Sequence, residues 1–328
     1  MMISIQGLEQ WRDPGRPLYL ALGNFDGVHR GHQSIIKRTV DLSRQRGGVA
    51  AVLLFHPHPR SCLQPGTPFP LLTGLPEKAE IIAALEVDYL VVQPFNLEVA
   101  ALPPELFVKR FLGEGLKVSG VIIGEDYTFG RGAGGGASTL LRLGDSYGFE
   151  VEICSLLVDK DDPVSSTAIR RLISSGELSR AAELLNYYFF RSGKVVAGAG
   201  RGGRLLYPTA NLEVTGDLLW PGPGVYLTAV EGVAGEPVFG VTHVGGTPTF
   251  NRETVTVETY ILDFCGDLYH RTIKLYFLER LRQIISFATP EKLKNQIDQD
   301  ILRAGELAAG RYRSFRGSFL ETAGPINL

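Results

Sequence analysis

The sequence predicts two domains of different class: an N-terminal α/β domain with a doubly wound, mostly parallel sheet, and a C-terminal small antiparallel β-barrel with a terminal helix. A chain of 328 residues is long enough for about two domains. Up to about residue 188, near-continuous apolar strands alternate with amphipathic helices. Beyond that point, short runs rich in Val, Thr and Tyr alternate with Gly- and Pro-rich turns. We therefore predict domains at 1–188 and 189–310, followed by a tail at 311–328.

The elements of the first domain follow from the alternation of its apolar runs. Strands are predicted at 18–23, 49–55, 87–95, 118–124 and 149–157, and helices at 32–46, 76–86, 104–113 and 136–147. A further helix carries Ile169, Leu172 and Ile173 on one face, after a capping run of Ser and Thr. Ligands of such sheets bind at the carboxyl ends of the strands, so we expect the site at the glycine turns there.

The elements of the second domain follow from period-two patterns. Strands are predicted at 224–232, 237–245, 254–264 and 268–279. A final helix is predicted at 289–304, with Thr289 as its cap and Pro290 in its first turn. The arginines at 311, 313 and 316 are expected to lie on a solvated, frayed end.

Composition excludes several classes of partner. The formal net charge is −2, which gives no electrostatic case for a nucleic acid or an anionic membrane surface. Three cysteines without a short spacing indicate free thiols in a reducing compartment, and no apolar run approaches the ~20 residues of a membrane span. We expect a cytoplasmic protein whose ligands are small molecules. The oligomeric state does not follow from the sequence.

Two histidines, His29 and His32, flank a glycine at the predicted start of the first helix. Three interpretations fit this spacing: a metal site, a phosphate site and helix capping. Zinc would need three or four ligands, and no H-E-x-x-H or C-x-x-C accompanies the pair. A helix N-terminus after the glycine turn of a strand is a natural anion site, where histidines can donate hydrogen bonds to phosphate oxygens. We favour the phosphate interpretation, because capping alone does not explain both histidines and the glycines at 23, 27 and 31.

A family resemblance emerges from these residues. "HRGH" matches the H-x-G-H signature of the nucleotidyltransferase superfamily, and "GNFDGVHRGHQ" resembles the bacterial bifunctional riboflavin kinase/FMN adenylyltransferases, or FAD synthetases. "FHPHP", "GEDYTFGRG" and "VSSTAIR" resemble further motifs of that family, although Thr128 stands where the family usually has arginine. The resemblance implies that His29, His32 and Arg170 are catalytic. It implies nucleotide or phosphate contacts for Gly23, Asn24, Phe25, Gly31, His58, Asp126, Ser165, Ser166 and Thr167, and flavin contacts for Tyr127 and Phe129.

A glycine-dense stretch opens the second domain, "GKVVAGAGRGGRLLYPTANL" at 193–212. Such a stretch can wrap a polyphosphate, but it can equally form hairpin turns. Thr209 and Asn211 lie two apart, so in an extended segment they face the same side. A hydroxyl and a carboxamide oxygen suit Mg²⁺, which keeps waters and nucleotide phosphates as its other ligands. The residues by themselves thus fit either a Mg²⁺–polyphosphate site or a set of hairpin turns.

This stretch and three later motifs, "PGPGVY", "GVTHVGGTPTF" and "VETYILDFCGDLYH", resemble the riboflavin kinase module. The resemblance implies that Glu258 is the catalytic base, and that Pro208 contacts flavin. It places nucleotide contacts at Gly198, Gly200 and Gly202. This chain departs from the module at five positions: Gly203, Leu206, His243, Tyr260 and His270, where the family has arginine, glycine, asparagine, histidine and glycine.

The implied function is the synthesis of FAD in two steps. The barrel would phosphorylate riboflavin to FMN with MgATP, and the α/β domain would adenylylate FMN to FAD, releasing pyrophosphate. Two alternatives remain open: an adenylyltransferase with a flavin-binding, kinase-inactive barrel, and a non-catalytic protein that binds flavin or nucleotide.

Overall fold

The structure is a computed structural model that describes residues 1–160, 162–197, 207–214, 216–249 and 252–317. The chain divides into two compact units, Met1–Ser166 and Thr167–Leu328, each with its own core. The two units are referred to as the first and second unit.

The first unit contains eight strands and six α-helices within the ranges that the structure describes. The strands are β1 (Ile3–Gln6), β2 (Leu18–Leu22), β3 (Val49–His56), β4 (Tyr89–Pro94), β5 (Gly120–Gly124), β6 (Glu150–Cys154), β7 (Val158–Asp159) and β8 (Asp162–Pro163). The α-helices are α1 (Arg30–Gln45), α2 (Pro59–Leu63), α3 (Leu75–Ala83), α4 (Leu97–Ala100), α5 (Pro104–Phe107) and α6 (Ala137–Tyr147).

Six of these strands form one parallel sheet in the order β1-β4-β3-β2-β5-β6. The central strands β2 and β5 are buried along their whole length, as expected where helices cover both faces. The predicted doubly wound sheet is confirmed. The edge strand β1 was not predicted from the sequence: it is four residues long and pairs only with β4.

The helix predicted at 104–113 has an unexpected form. The chain begins as α5 and continues as a wider, π-type helix at Val108–Leu116. Phe107, Phe111 and Leu112 remain fully or almost fully buried against the sheet. The helix predicted at 104–113 is therefore present, although the sequence pattern did not reveal the change in helical pitch.

The second unit consists of a barrel with three helices in its described part. Its helices are α7 (Ser166–Ser175), whose first residue closes the first unit, α8 (Leu178–Leu185) and α9 (Pro290–Ala309). Its strands are β9 (Phe190–Val196), β10 (Ala210–Leu212), β11 (Gly224–Glu231), β12 (Val238–Thr249), β13 (Arg252–Ile261) and β14 (Thr272–Arg282).

The six strands close into an antiparallel barrel in the order β10-β13-β12-β11-β14-β9. The predicted small barrel with a terminal helix is confirmed. Its interior holds a row of fully buried threonines, in which Thr242 Oγ1 lies 2.7 Å from Thr228 Oγ1 and 2.9 Å from Thr259 Oγ1. Each hydroxyl thus finds a partner without water, which a buried polar group requires.

The chain after α9 packs on the barrel as far as Gly317, contrary to the frayed end expected from its arginines. Tyr312 and Phe315 are buried, and Phe315 contacts the ring of Tyr276 edge-on at 5.2 Å. Arg311 forms an ion pair with Glu279 at 3.2 Å. The aromatic residues between the arginines hold this segment.

In the described ranges, none of the helices combines the length and the apolar character that a membrane span requires.

Candidate active sites

The first candidate site lies at the carboxyl end of β2, where the chain turns from Gly23 into α1. Phe25 and Val28 have φ angles of 47° and 36°, in the region that side chains rarely adopt. Both side chains are buried, so packing holds this conformation. At Gly27, φ is 79°, and an added Cβ would lie 2.7 Å from Leu72 Cδ1. Only glycine fits there without movement of its neighbour.

A buried carboxylate, Asp26, anchors this turn. It is 3% exposed and accepts hydrogen bonds from the backbone N–H groups of Leu72, at 3.0 Å, and Thr73, at 3.2 Å. The Thr73 hydroxyl in turn accepts from the N–H of Gly27 at 3.0 Å. The backbone carbonyl of Asp26 accepts from the Ser166 hydroxyl at 2.8 Å. These bonds join the turn to the chain before α3 and to the start of α7.

His29 is the N-cap of α1. Its Nδ1 accepts from the backbone N–H of His32 at 3.4 Å, and the side chain is 5% exposed. Because Nδ1 is the acceptor in this bond, the neutral imidazole carries its proton on Nε2. Capping is therefore one role of His29, and its proton lies on the other ring nitrogen, Nε2.

His32 does not cap the helix. Its ring is stacked on that of His29, with centroids 3.6 Å apart, and meets the ring of Phe25 edge-on at 5.4 Å. Burial, the neighbouring His29 and the charge of Lys78 place the pKa of His32 well below its usual value. The imidazole is therefore neutral near pH 7. Its Nδ1 is shut off from water and has no hydrogen-bond partner in the described chain, which costs free energy of folding.

The geometry does not favour the zinc interpretation of the pair. The two rings are within 19° of parallel, so their lone pairs run side by side and do not converge on one ion. Among the described residues there is no cluster of three or more His, Cys, Asp or Glu side chains that could hold a metal. The phosphate interpretation is compatible with both observations.

Lys78 joins this site without having been predicted. It lies on α3, is 6% exposed, and its Nζ donates to the backbone carbonyl of Asn24 at 2.8 Å. Its sequence context carried a signal: Lys78, Ile81 and Ile82 share one helical face, and the two isoleucines are fully buried. A lysine on the apolar face of a helix indicates a buried charge.

The other predicted contacts of the first unit differ in their local surroundings. His58 caps α2, accepting from the N–H of Arg60 at 3.2 Å, and its ring lies 5.0 Å from that of Phe69. Asp126 is exposed after β5, and Asn24 is exposed in the turn. The structure brings Gly23, Asn24, Phe25, Gly31, His29, His32 and Ser166 together around the start of α1.

The two aromatic residues predicted to contact flavin pack against each other. The rings of Tyr127 and Phe129 are stacked at 6.0 Å. Phe129 is 5% exposed and also contacts Phe107 at 5.2 Å, so it belongs to the core. Burial raises the pKa of Tyr127. Thr128, the departure from the family pattern, is exposed between them.

The serine and threonine run spans the boundary between the units. Ser165 and Ser166 end the first unit, and Thr167 and Arg170 lie on α7 in the second. Ile169, Leu172 and Ile173 form the buried face of that helix, as predicted. The roles of Thr167 and Arg170 stay predictions.

The second candidate site lies on the outer face of the barrel. Glu258 in β13 is the cross-strand partner of Asn211 in β10 on one side and of His243 in β12 on the other. The neighbours of all three along their strands are buried inside the barrel, whereas these side chains are half-buried. Side chains directly opposite on adjacent strands have Cβ atoms roughly 5 Å apart. The predicted base and one predicted metal ligand are therefore adjacent.

A cavity of about 420 Å³ is lined by Pro208 and Thr209 and by buried residues of the barrel interior, among them Thr259. The Asn211 amide Nδ2 donates to the Thr209 carbonyl at 3.4 Å, which leaves the carboxamide oxygen without a hydrogen-bond partner in the described chain. The Thr209 hydroxyl likewise forms no hydrogen bond there. The carboxamide of Asn211, which is cross-strand to Glu258, and the hydroxyl of Thr209 are neutral oxygens of the kind that Mg²⁺ binds.

Part of the predicted kinase site lies outside the described residues: Gly198, Gly200 and Gly202, together with the departures Gly203 and Leu206.

The other departures have distinct surroundings. Tyr260 meets Tyr207 edge-on at 5.7 Å. His270 has a φ of 66°, a conformation that suits the glycine of the family pattern. The imidazole of His243 lies over Gly245, where an added Cβ would be 2.6 Å from His243 Cε1. The pKa of His243 is below its usual value. Burial is the main cause, the carboxylate of Glu258 opposes it by raising the pKa, and the charge of Arg282 lowers the pKa.

Comparison with known proteins agrees with this division of the chain. The family model for FAD synthetase matches residues 13–168, and that for riboflavin kinase matches residues 185–308. The chain is 36% identical to the bifunctional riboflavin kinase/FMN adenylyltransferase of Listeria monocytogenes, over 89% of this chain and 92% of that protein. It is 34% identical to the protein of the same name from Pseudomonas fluorescens, over 93% of this chain and 97% of the relative.

A solved structure from Streptococcus pneumoniae, described as a macrolide-efflux protein, is also similar. It is 29% identical, with a TM-score of 0.83 over 94% of this chain and 99% of that one. The likeness of fold extends over both units. Two family models match the two parts of the chain, and relatives that share one name match almost all of it. The chain therefore belongs to the family of bifunctional riboflavin kinase/FMN adenylyltransferases.

Proposed function

We propose that the second unit phosphorylates riboflavin to FMN and that the first unit adenylylates FMN to FAD. The observation that supports this division is the separation of two chemically different sites. One site pairs the carboxylate of Glu258 with the carboxamide of Asn211, a group whose oxygen can bind a metal, on a face of the barrel. The other site places two histidines at the N-terminus of α1. The first arrangement suits deprotonation of an alcohol, and the second suits stabilisation of charge on a phosphate.

In the kinase reaction, Glu258 accepts the proton of the ribityl 5′-hydroxyl as that oxygen attacks the γ-phosphate of ATP. The O–Pγ bond forms, the bond from Pγ to the β-phosphate oxygen breaks, and ADP leaves. Asn211 and Thr209 would hold Mg²⁺, which when bound neutralises charge on the β- and γ-phosphates. The pairing of Asn211 with Glu258 keeps the base close to the metal-bound nucleotide.

In the adenylyl transfer, a phosphate oxygen of FMN attacks the α-phosphate of a second ATP. The new O–Pα bond forms as the bond from Pα to the leaving pyrophosphate breaks. The Nε2–H of His29, His32 and the N–H groups at the start of α1 donate to the oxygens on which charge accumulates. Ser166 binds the leaving pyrophosphate, and the family resemblance implies the same role for Thr167 and Arg170. Positioning and charge stabilisation carry this step, so no protein nucleophile is required.

The experiment that tests both steps is product chromatography. The full chain is incubated with MgATP and either riboflavin or FMN. FMN and then FAD should form from riboflavin, and FAD and pyrophosphate should form from FMN. FAD from FMN without any product from riboflavin would instead support an adenylyltransferase with an inactive barrel, and no product from either flavin would support a binding protein. Replacing Mg²⁺ by EDTA should stop FMN formation.

The finer expectations about partners also belong to this proposal. We propose that Mg²⁺ is the working cation, that ATP, riboflavin and FMN are the ligands, and that the protein acts in the cytoplasm without a nucleic-acid or membrane partner. The near-neutral net charge of −2 supports the expectation about partners.

A further inference from the structure

A buried ammonium group lies beside the histidine pair of the first unit. Lys78 is 6% exposed, and its Nζ donates to the backbone carbonyl of Asn24 at 2.8 Å. In the part of the chain that the structure describes, this is its one hydrogen bond, and it forms no ion pair. An ammonium has three N–H donors, and burying it with donors unmade costs free energy of folding. Such a group indicates a use for the charge.

The surroundings of Lys78 show what its charge can act on. Burial is the main cause of the lowered pKa values of His32 and His56, and the charge of Lys78 is close enough to both to lower them further. Asp26 is near enough to raise the pKa of Lys78, while burial, the larger effect, lowers it. The Asp26 carboxylate is itself engaged by backbone N–H groups of Leu72 and Thr73. Lys78 is thus a cation between the turn and the histidines.

We propose that Lys78 is a positioning residue for adenylyl transfer: it holds the Asn24 end of the turn through the carbonyl and supplies a fixed positive charge beside His32. This inference rests on the adenylyl transfer proposed for the first unit. It concerns a residue outside the H-x-G-H, S-S-T and G-x-D motifs that the sequence singled out.

Two consequences follow for the reaction. The bond to the Asn24 carbonyl fixes one end of a turn whose backbone is strained at Phe25 and Val28, so the histidines keep their stacked arrangement. The positive charge also favours the neutral form of His32 before substrate binds. His29 and Lys78 are the groups whose charge acts on the pKa of His32, and Asp26 acts on that of Lys78. Removal of the lysine charge should therefore raise the pKa of His32 toward its usual value.

The test uses three variants of the full chain that separate the hydrogen bond from the charge. Lys78→Gln keeps an N–H donor but removes the charge, Lys78→Met removes both, and Lys78→Arg keeps both. The matched control is Lys37→Met, an exposed lysine of α1. For each protein, FAD formation from FMN is measured as kcat and KM between pH 5 and 9. We define the His32-dependent limb as the part of the curve of FAD formation against pH that is absent from the His32→Asn protein.

Folding is followed separately for each unit. Tryptophan fluorescence of Trp11 reports the first unit when Trp220, in the second, is replaced by Phe, and FMN formation from riboflavin reports the barrel. This readout distinguishes loss of fold from loss of positioning. FAD formation by the unsubstituted chain establishes the proposed function on which the inference depends.

We expect Lys78→Gln to fold, to shift the His32-dependent limb to higher pH, and to retain more activity than Lys78→Met. We expect Lys78→Met to lower kcat about tenfold or more, a loss that corresponds to roughly 1.4 kcal/mol of barrier. Lys78→Arg should return the limb toward that of the unsubstituted chain. A folded Lys78→Gln protein with an unshifted limb would overturn the inference. Loss of the Trp11 signal in all three variants would also overturn it, because Lys78 would then serve only the fold.

Discussion

Asn211 in β10 and Glu258 in β13 are cross-strand partners on the outer face of the barrel. The pair places a carboxamide oxygen next to the carboxylate proposed as the base of the kinase reaction. The stretch that carries Asn211 and the motif that carries Glu258 are well separated in the sequence, and the antiparallel register brings them together. His243 occupies the other side of Glu258, so the carboxylate lies between a neutral oxygen ligand and an imidazole.

Glu258→Gln should abolish FMN formation from riboflavin and spare FAD formation from FMN. A carboxamide of the same shape cannot accept the hydroxyl proton, and general-base catalysis is worth roughly 10²–10⁴-fold. The measurement is chromatography of both reactions. The matched control is Glu213→Gln, an exposed glutamate just after β10, which should leave both rates unchanged. Parallel loss of the two reactions in Glu258→Gln would contradict the division of labour between the units.

Asn211→Leu should raise the Mg²⁺ concentration needed for half-maximal FMN formation, because an oxygen ligand is lost while the side-chain volume is kept. Asn211→Asp retains an oxygen and should be less affected. The measurement is the rate of FMN formation across a Mg²⁺ titration. Adenylylation of FMN serves as the internal control. An unchanged Mg²⁺ dependence in Asn211→Leu would show that the cation is held elsewhere.

Substitutions of His29 should separate its capping role from its role toward phosphate. Asparagine can accept the N–H of His32 as a cap, whereas alanine cannot and should cost about 1 kcal/mol of stability. Neither residue supplies the Nε2–H group, so both should slow FAD formation by roughly 10²–10³-fold. The measurement pairs the rate of FAD formation with the thermal midpoint of Trp11 fluorescence. If His29→Asn forms FAD at the unsubstituted rate, His29 is a cap and nothing more.

The stability of the first unit should depend on pH through His32. Its pKa in the folded protein is well below its usual value, which is about 6.5 in the unfolded chain. Above that pH the imidazole is neutral in both states and contributes no pH dependence. Below it the unfolded chain binds a proton that the folded unit does not. The free energy of unfolding should therefore fall as pH decreases from the unfolded value, by at most about 1.4 kcal/mol per pH unit.

The measurement is the thermal midpoint of Trp11 fluorescence from pH 7.5 to 5 in a Trp220→Phe background. His32→Asn should make the decline shallower, while the lowered pKa of His56 keeps part of it. If the thermal midpoint falls with pH equally steeply in His32→Asn and in its parent, His32 does not titrate in this way.

Local patterns were sufficient to predict the fold class, and they also gave the predicted residues of the two candidate sites. A strand, a glycine turn and a helix N-terminus are contiguous in the sequence, so the position of His29 and His32 follows from neighbouring residues alone. The same holds for Thr209 and Asn211, and for the helix with Ile169, Leu172 and Ile173 on one face. These features depend on interactions within a few residues, where the periodicity of side chains is reliable.

Long-range packing was needed for the rest. Lys78 reaches the Asn24 carbonyl because α3 folds against the turn after β2, and no local pattern specifies that contact. Phe129 packs in the core against Phe107, and the segment from α9 to Gly317 is held on the barrel by Tyr312 and Phe315. Burial depends on which distant apolar surfaces meet, and a strand register depends on its partner. The spacing of residues within one segment specifies neither burial nor strand register, and the chemistry of the sites depends on both.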